Sequence, residues 1–241
     1  MICRLIRLFL LVFLTLPVLA SFTVARPMIS IPEHTFDFGR VAQHAVVSHR
    51  FLIKSVGEDT LRITKVIPGC GCTKAPLKDS VLAPGDSTTL EILFSTKSYR
   101  GFLSKRPYLE TNISEEKVYL KIKSELLDEP RKSKPVSLLP YKLDVSQFKP
   151  KPRLMADFRI INKDTVDYEI RLVDYADHLF DVTLPAVVKA GDSARGIVNV
   201  HESAIKTEFE HSLTFEINDK NKTRYSLPIV RKYRVRDRSG E

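Results

Sequence analysis

The stretch Phe51-Leu52-Ile53-Lys54-Ser55-Val56-Gly57-Glu58-Asp59-Thr60-Leu61-Arg62-Ile63, FLIKSVGEDTLRI, holds two short runs of alternating apolar residues around a Gly-Glu-Asp turn. On an extended chain Phe51 and Ile53 point to one face, and Leu61 and Ile63 repeat the pattern beyond the turn. That period of two predicts a strand, a turn and a second strand, each half-buried. The plan returns as FRIINKDTVDYEI at 158–170, with Phe158 and Ile160 in the places of Phe51 and Ile53.

Working outward, Leu90, Ile92 and Phe94 alternate in the same way, as do Val118, Leu120 and Ile122. Turn chemistry separates them at Ala83-Pro84-Gly85-Asp86 and from Asn112 to Glu116. The echo extends to the turns: Gly85 corresponds to Gly191, Asn112 to Asn218 and Tyr119 to Tyr225, all at an offset of 106 residues. No long amphipathic helix is visible. The expected fold is all-β, with two tandem immunoglobulin-like antiparallel β-sandwich domains over 28–128 and 135–234. A polar, proline-broken linker at 129–134 joins them, and 235–241 is a basic tail.

The N-terminus is of a different character. A short basic segment, MICRLIR, precedes the 13-residue apolar run LFLLVFLTLPVLA, which is too short to span a bilayer stably. Val18 and Ala20 fit the small-residue rule for cleavage before Ser21, so 1–20 reads as a signal peptide and the mature chain as exported. No cysteine follows the run, which disfavours a lipid anchor, and no transmembrane segment is expected after cleavage. Cleavage removes Arg4 and Arg7, taking the formal charge from +9 to +7. The remaining charge gathers in EPRKSKP, KPKPR and RKYRVRDR. Outside the cytoplasm such charge first of all maintains solubility, and as a contact surface it fits acidic lipid head groups, polysaccharide or an acidic protein or cell-envelope partner better than nucleic acid. The sequence leaves the oligomeric state open.

Cleavage also removes Cys3, leaving Cys70 and Cys72 in the segment Pro68-Gly69-Cys70-Gly71-Cys72-Thr73. At the repeat offset this segment falls near Tyr175-Ala176-Asp177-His178, so the second copy builds its strands without cysteine. The glycines allow the chain to curl, and a curled segment brings the sulfurs within reach of a small disulfide ring. Three readings stand side by side. The pair can be structural packing, a redox or thiol-exchange centre, or a soft-metal site for Cu(I). Zinc would need two further ligands to close a tetrahedron, for which His44 and His49 are the nearest candidates in sequence. If the strand near 46–54 pairs directly with that near 60–67, His44 stands opposite Cys70. His49 shares the Phe51/Ile53 face, where a hydrogen-bonded, partly buried role is equally natural.

Three segments in order carry a resemblance: FDFG at 36–39, HRFLIKSVGEDTLRITKVIPGCGCT at 49–73, and LAPGDSTTLEILFST at 82–96. Together they resemble a family of exported bacterial proteins known only as a domain of unknown function. Its signature is a Cys-Gly-Cys-Thr segment after a strand and turn, and its domains look like the sandwiches of the major sperm protein, hydin and PapD group. The resemblance covers roughly 32–123, and this chain departs from it at Ser55, where asparagine is usual. It implies a fold and an exported location, and no activity.

Other chemistry is missing from the sequence. There is no Gly-x-Ser-x-Gly elbow, no glycine-rich phosphate loop and no haem-attachment motif. His201-Glu202 is followed by Ser-Ala-Ile, so the zinc-protease helix is absent too. The expectation is a non-enzymatic binding or scaffold protein of the periplasm or cell surface, without catalytic residues or a cofactor. The alternative is a thiol-redox or Cu(I)-handling protein that uses Cys70 and Cys72.

Overall fold

The computed structural model describes residues 25–148 and 152–234. The signal-peptide reading and the basic tail lie outside them. No helix of the described residues is long and apolar enough to cross a membrane.

The first half contains β1 (Ile29–Ser30), β2 (Thr35–Ala42), β3 (Val46–Ser55), β4 (Leu61–Ile67), β5 (Thr73–Lys74) and β6 (Val81–Leu82). It continues with β7 (Ser87–Ser95), β8 (Gly101–Lys105), β9 (Tyr108–Thr111), β10 (Val118–Tyr119) and β11 (Lys121–Leu127). A 3-10 turn at Pro130–Lys132 leads into the second half. There follow β12 (Val136–Leu139), β13 (Leu143–Asp144), β14 (Met155–Asn162), β15 (Tyr168–Tyr175) and β16 (Phe180–Thr183). The last elements are β17 (Val187–Val188), β18 (Ser193–Val200), β19 (Phe209–Ile217) and β20 (Arg224–Arg231).

Each half closes around its own core. Phe51, Ile53, Leu90, Ile92 and Phe94 lie inside the first, and Phe158, Ile160, Val198, Phe215 and Leu227 inside the second. Phe51, Ile53, Leu90, Ile92, Phe94, Phe158 and Ile160 are alternating positions of the sequence, and burying each large side chain contributes on the order of 2 kcal/mol. The repeat also extends to backbone bonds. Ser55 N donates to Asp86 O and Asn162 N to Asp192 O, both at 2.9 Å, and Gly85 and Gly191 both turn at positive φ.

The sequence leaves open whether β3 and β4 pair directly or belong to different sheets of the sandwich, and the structure places them in different sheets. The order β1-β3-β7-β5 forms one sheet, and β10-β9-β4-β6 another. The chain therefore crosses between layers in the Val56–Thr60 turn, and crosses back through the Cys-Gly-Cys segment into β5.

The two halves are also joined by a shared sheet. Its order runs β17-β15-β19-β20-β2-β11-β8, so strands of both repeats lie in one layer. The junction is a parallel contact of β2 with β20 at Arg40 and Tyr225. Gly39 permits it: at φ +61°, a Cβ on Gly39 would lie 2.1 Å from Arg224 O. Val173 of the second half also packs on the first core.

Candidate functional site

The Cys-Gly-Cys segment curls as its glycines allow. Gly69 sits at φ +82°, with the Arg106 carbonyl 3.2 Å from where its Cβ would be. Cys70 and Cys72 form a disulfide with their Cα atoms 5.2 Å apart. Thr73 N donates to Cys70 O at 3.2 Å, and Thr73 Oγ1 lies 3.3 Å from Cys70 Sγ. Ser95 N donates to Cys72 O at 2.8 Å, which ties the ring to β7. Cys72 is 4% exposed within the first core, whereas Cys70 is half-buried and Gly71 exposed.

That asymmetry limits the chemistry. An incoming thiolate meets Cys70 Sγ more readily than the 4%-exposed Cys72, and its attack there expels Cys72 as a thiolate into apolar surroundings. Apolar burial raises a thiol's pKa and makes it a slow leaving group. The arrangement favours a ring that pins the layer crossing.

Neither histidine of the metal reading joins the cysteines. The register that placed His44 opposite Cys70 required β3 to pair with β4, but β3 pairs with β1 and β7. His44 is exposed in the β2–β3 turn at φ +53°, where its carbonyl accepts from Lys142 Nζ at 2.5 Å. His49 faces inward, stacked on Phe36 with ring centroids 3.7 Å apart, and donates from Nδ1 to Asp174 Oδ2 at 2.8 Å. It is an interface side chain.

The outer face of β3 and β7 carries what the sequence did not single out. Ser48 N donates to Ser212 Oγ at 3.0 Å, and Ser48 Oγ lies 2.9 Å from His211 Nδ1. Arg50 pairs with Asp177. Glu91 Oε1 lies 3.5 Å from His211 Nδ1, and the His178 and His211 rings meet edge to face. Burial above all, with His178 and Arg50 nearby, pushes the His211 imidazole down to about 4. Burial raises the Glu91 carboxyl, and Arg50 opposes that rise. Beside His211 a cleft of about 440 Å³ separates the halves, lined by Cys72, Gly71 and Leu93 on one side and Phe209 and Arg231 on the other.

One signal in the sequence pointed here. The offset that aligns the repeats sets His178 opposite Cys72, so the turn replacing the cysteine ring in the second copy carries a metal-binding residue type. Glu91 and His211 had no such signal, because both read as ordinary outward-facing polar positions on strands.

At the other end of the shared sheet, β8 is the terminal strand. Its Phe102 side chain is 87% exposed. Next to it is a hollow of about 790 Å³ whose walls include Lys121, Lys123, Arg40 and Glu125. Arg40 and Glu125 pair with each other at 2.9 Å.

Among solved structures the chain is similar to a protein of unknown function from Porphyromonas gingivalis W83. The identity is 12%, over 85% of this chain and 99% of that one, with a TM-score of 0.35. It is similar to the secreted serine protease VesC from Vibrio cholerae at 10% identity, over 72% of this chain and 44% of that one, with a TM-score of 0.35. It is also similar to the ASH/PapD-like domain 7 of human CEP192 at 10% identity, over 46% of this chain and 99% of that one, with a TM-score of 0.34. At these scores none of the three bears on activity or partner. No curated protein sequence matches the chain. Residues 29–126, the half with the cysteine ring, match the model of a family described as Protein of unknown function (DUF1573).

Proposed function

We propose that this protein is an exported, non-enzymatic binding or scaffold component of the bacterial periplasm or cell surface. Its binding element is the free edge of β8, and its ligand is an extended acidic segment of an envelope protein. The observation that carries this reading is Phe102, 87% exposed on the last strand of the long sheet. A terminal strand offers unpaired backbone groups to an incoming strand, and an exposed aromatic adds an anchor. Arg100 and Arg106 flank the strand and Lys105 ends it, so a second copy of the same edge is repelled and an acidic segment attracted. Lys121 and Lys123 in the adjoining hollow extend the same charge. The fused halves supply a rigid frame, and the cysteine ring belongs to that frame.

The test places a photo-crosslinking residue at position 102 in cells and identifies the adduct by mass spectrometry. The reading expects a discrete adduct on an acidic, extended segment of an envelope protein, formed also from a crosslinker at the exposed position 104 and lost from there in Phe102→Glu. An unchanged adduct in that variant, or none at all, overturns it. Fractionation with intact mass tests export; a retained N-terminal segment in the cytoplasm would sink that part.

A further inference from the structure

We infer that Glu91, His178 and His211 form a binding site for a zinc-class divalent ion that bridges the two halves. One donor atom from each residue lies within 4.8 Å of the other two, and among the described residues no other group of three or more such side chains converges in this way. The three come from separate places: β7 of the first half, the β15–β16 turn, and β19 of the second. Only the merging of the halves brings them together.

The donor set selects the ion. Two imidazoles and one carboxylate suit zinc and its neighbours in the first transition row, whereas calcium and magnesium take oxygen ligands. A tetrahedral zinc site with bonds of roughly 2.0–2.1 Å holds its donors about 3.3 Å apart, so closing this group requires inward movement on the order of 1 Å. His178 is placed to make that movement, being exposed on a turn, while His211 is fixed in the interface.

Supporting contacts are in place as well. Ser48 Oγ holds the His211 ring, and Asp177 Oδ1 lies 3.8 Å from His178 Nδ1. Polar partners of this kind orient metal-binding imidazoles. The Arg50 guanidinium opposes a cation on this face, and its ion pair with Asp177 offsets it. The fourth position is left to water. The site is distinct from the Cys70–Cys72 ring and needs no thiolate.

The test is zinc titration by calorimetry of protein purified without a histidine tag. The wild type and His44→Ala, a surface-histidine control, should each bind one ion per chain. His178→Ala and Glu91→Gln should bind at least about tenfold more weakly. His178→Ala alters an exposed turn, so its circular dichroism should match the wild type and its loss of binding should not reflect unfolding. Cobalt in place of zinc should give the visible absorption of a four-coordinate ion in the wild type and not in His178→Ala. Binding retained in His178→Ala, binding lost in His44→Ala, or no saturation at one ion per chain would each overturn the inference.

Discussion

His49 and Asp174 lie 125 residues apart and share a 2.8 Å hydrogen bond from Nδ1 to Oδ2 across the two halves. The imidazole is enclosed by Phe36 on its face and Phe51 at its edge, so removing the carboxylate leaves a nearly buried Nδ1–H without its protein partner. Asp174→Ala should therefore cost about 1–3 kcal/mol. A double-mutant cycle with His49→Ala should return a coupling of about 0.5–3 kcal/mol. Urea unfolding followed by fluorescence and circular dichroism should show one transition by both probes. Two separate transitions, only one of them shifted, would mean that the halves do not unfold as a unit.

Gly39→Ala should be the most damaging glycine substitution. Left-handed φ costs an alanine about 1–2 kcal/mol, and displacing the Arg224 backbone adds about 1–3 kcal/mol of overpacking. Gly85→Ala and Gly191→Ala carry only the first cost, since nothing lies within 4 Å of their added Cβ atoms. The three urea midpoints rank the effects directly. Equal losses at all three positions would argue against a close β2–β20 junction.

The cysteine ring should behave as a local pin. Loop-closure entropy for so short a loop is about 1.5 kcal/mol, and Cys70→Ser with Cys72→Ser should lose roughly that much. The untreated protein should resist alkylation until it is reduced. Crosslinking through position 102 should survive the double substitution; its disappearance would restore the thiol reading.

Acid should weaken the metal-free protein in a defined window. His211 titrates near 4 when folded and near its ordinary 6.5 when unfolded, so between those values the unfolded chain holds more protons. Stability is then full above pH 6.5 and falls as pH drops toward 4, by up to about 3 kcal/mol. Glu91 acts with the opposite sign, since its raised carboxyl pKa favours the folded state at low pH. In chelator, His211→Gln should flatten the acid loss and Glu91→Gln steepen it. An unchanged slope in both variants would remove these groups from the account.

Ser55 offers a gain. Its hydroxyl is buried without a hydrogen-bond partner among the described residues. At the matching place in the second half, Asn162 donates from Nδ2 to Val166 O at 2.7 Å and to Val188 O at 3.2 Å, and accepts from Asp164 N at 2.9 Å. Ser55→Asn should reproduce part of that network and stabilise the protein by about 1 kcal/mol. A lower thermal midpoint would show that the first half lacks the room.

The strands were legible because burial imposes a period of two, and Phe51, Ile53, Phe158 and Ile160 display it plainly. The turns were legible too, since Gly85 and Gly191 mark left-handed backbone in both copies. Sheet membership was not. A turn such as Val56–Thr60 reads the same whether the next strand pairs with the last or passes to the other layer. Nor was the union of the halves legible. Ser48, Glu91, His211 and Ser212 carry the polar side chains expected on a solvated sheet face, and nothing local distinguishes a face that meets water from one that meets another polar face. Tyr119 and Tyr225 show the limit of the repeat itself: matched in sequence, one is 44% exposed and the other 2%. Tyr225 lies at the junction, where Arg40 Nη1 donates to its hydroxyl at 3.2 Å.

The β2–β20 junction also sets the order in which the chain can mature. Arg40 leaves the ribosome 185 residues before Tyr225, its neighbour in the finished sheet. At synthesis rates of roughly 5–20 residues per second, the nascent first sandwich waits on the order of 10–40 s for its last strand. For that interval an unpaired edge and the bare Ser48/Glu91 face are open to passing chains. A circular permutant that starts at β12 would emit β20 just ahead of β2 and close the gap, so its soluble yield on expression should exceed that of the natural order, while refolding of the two complete chains should not differ in the same way.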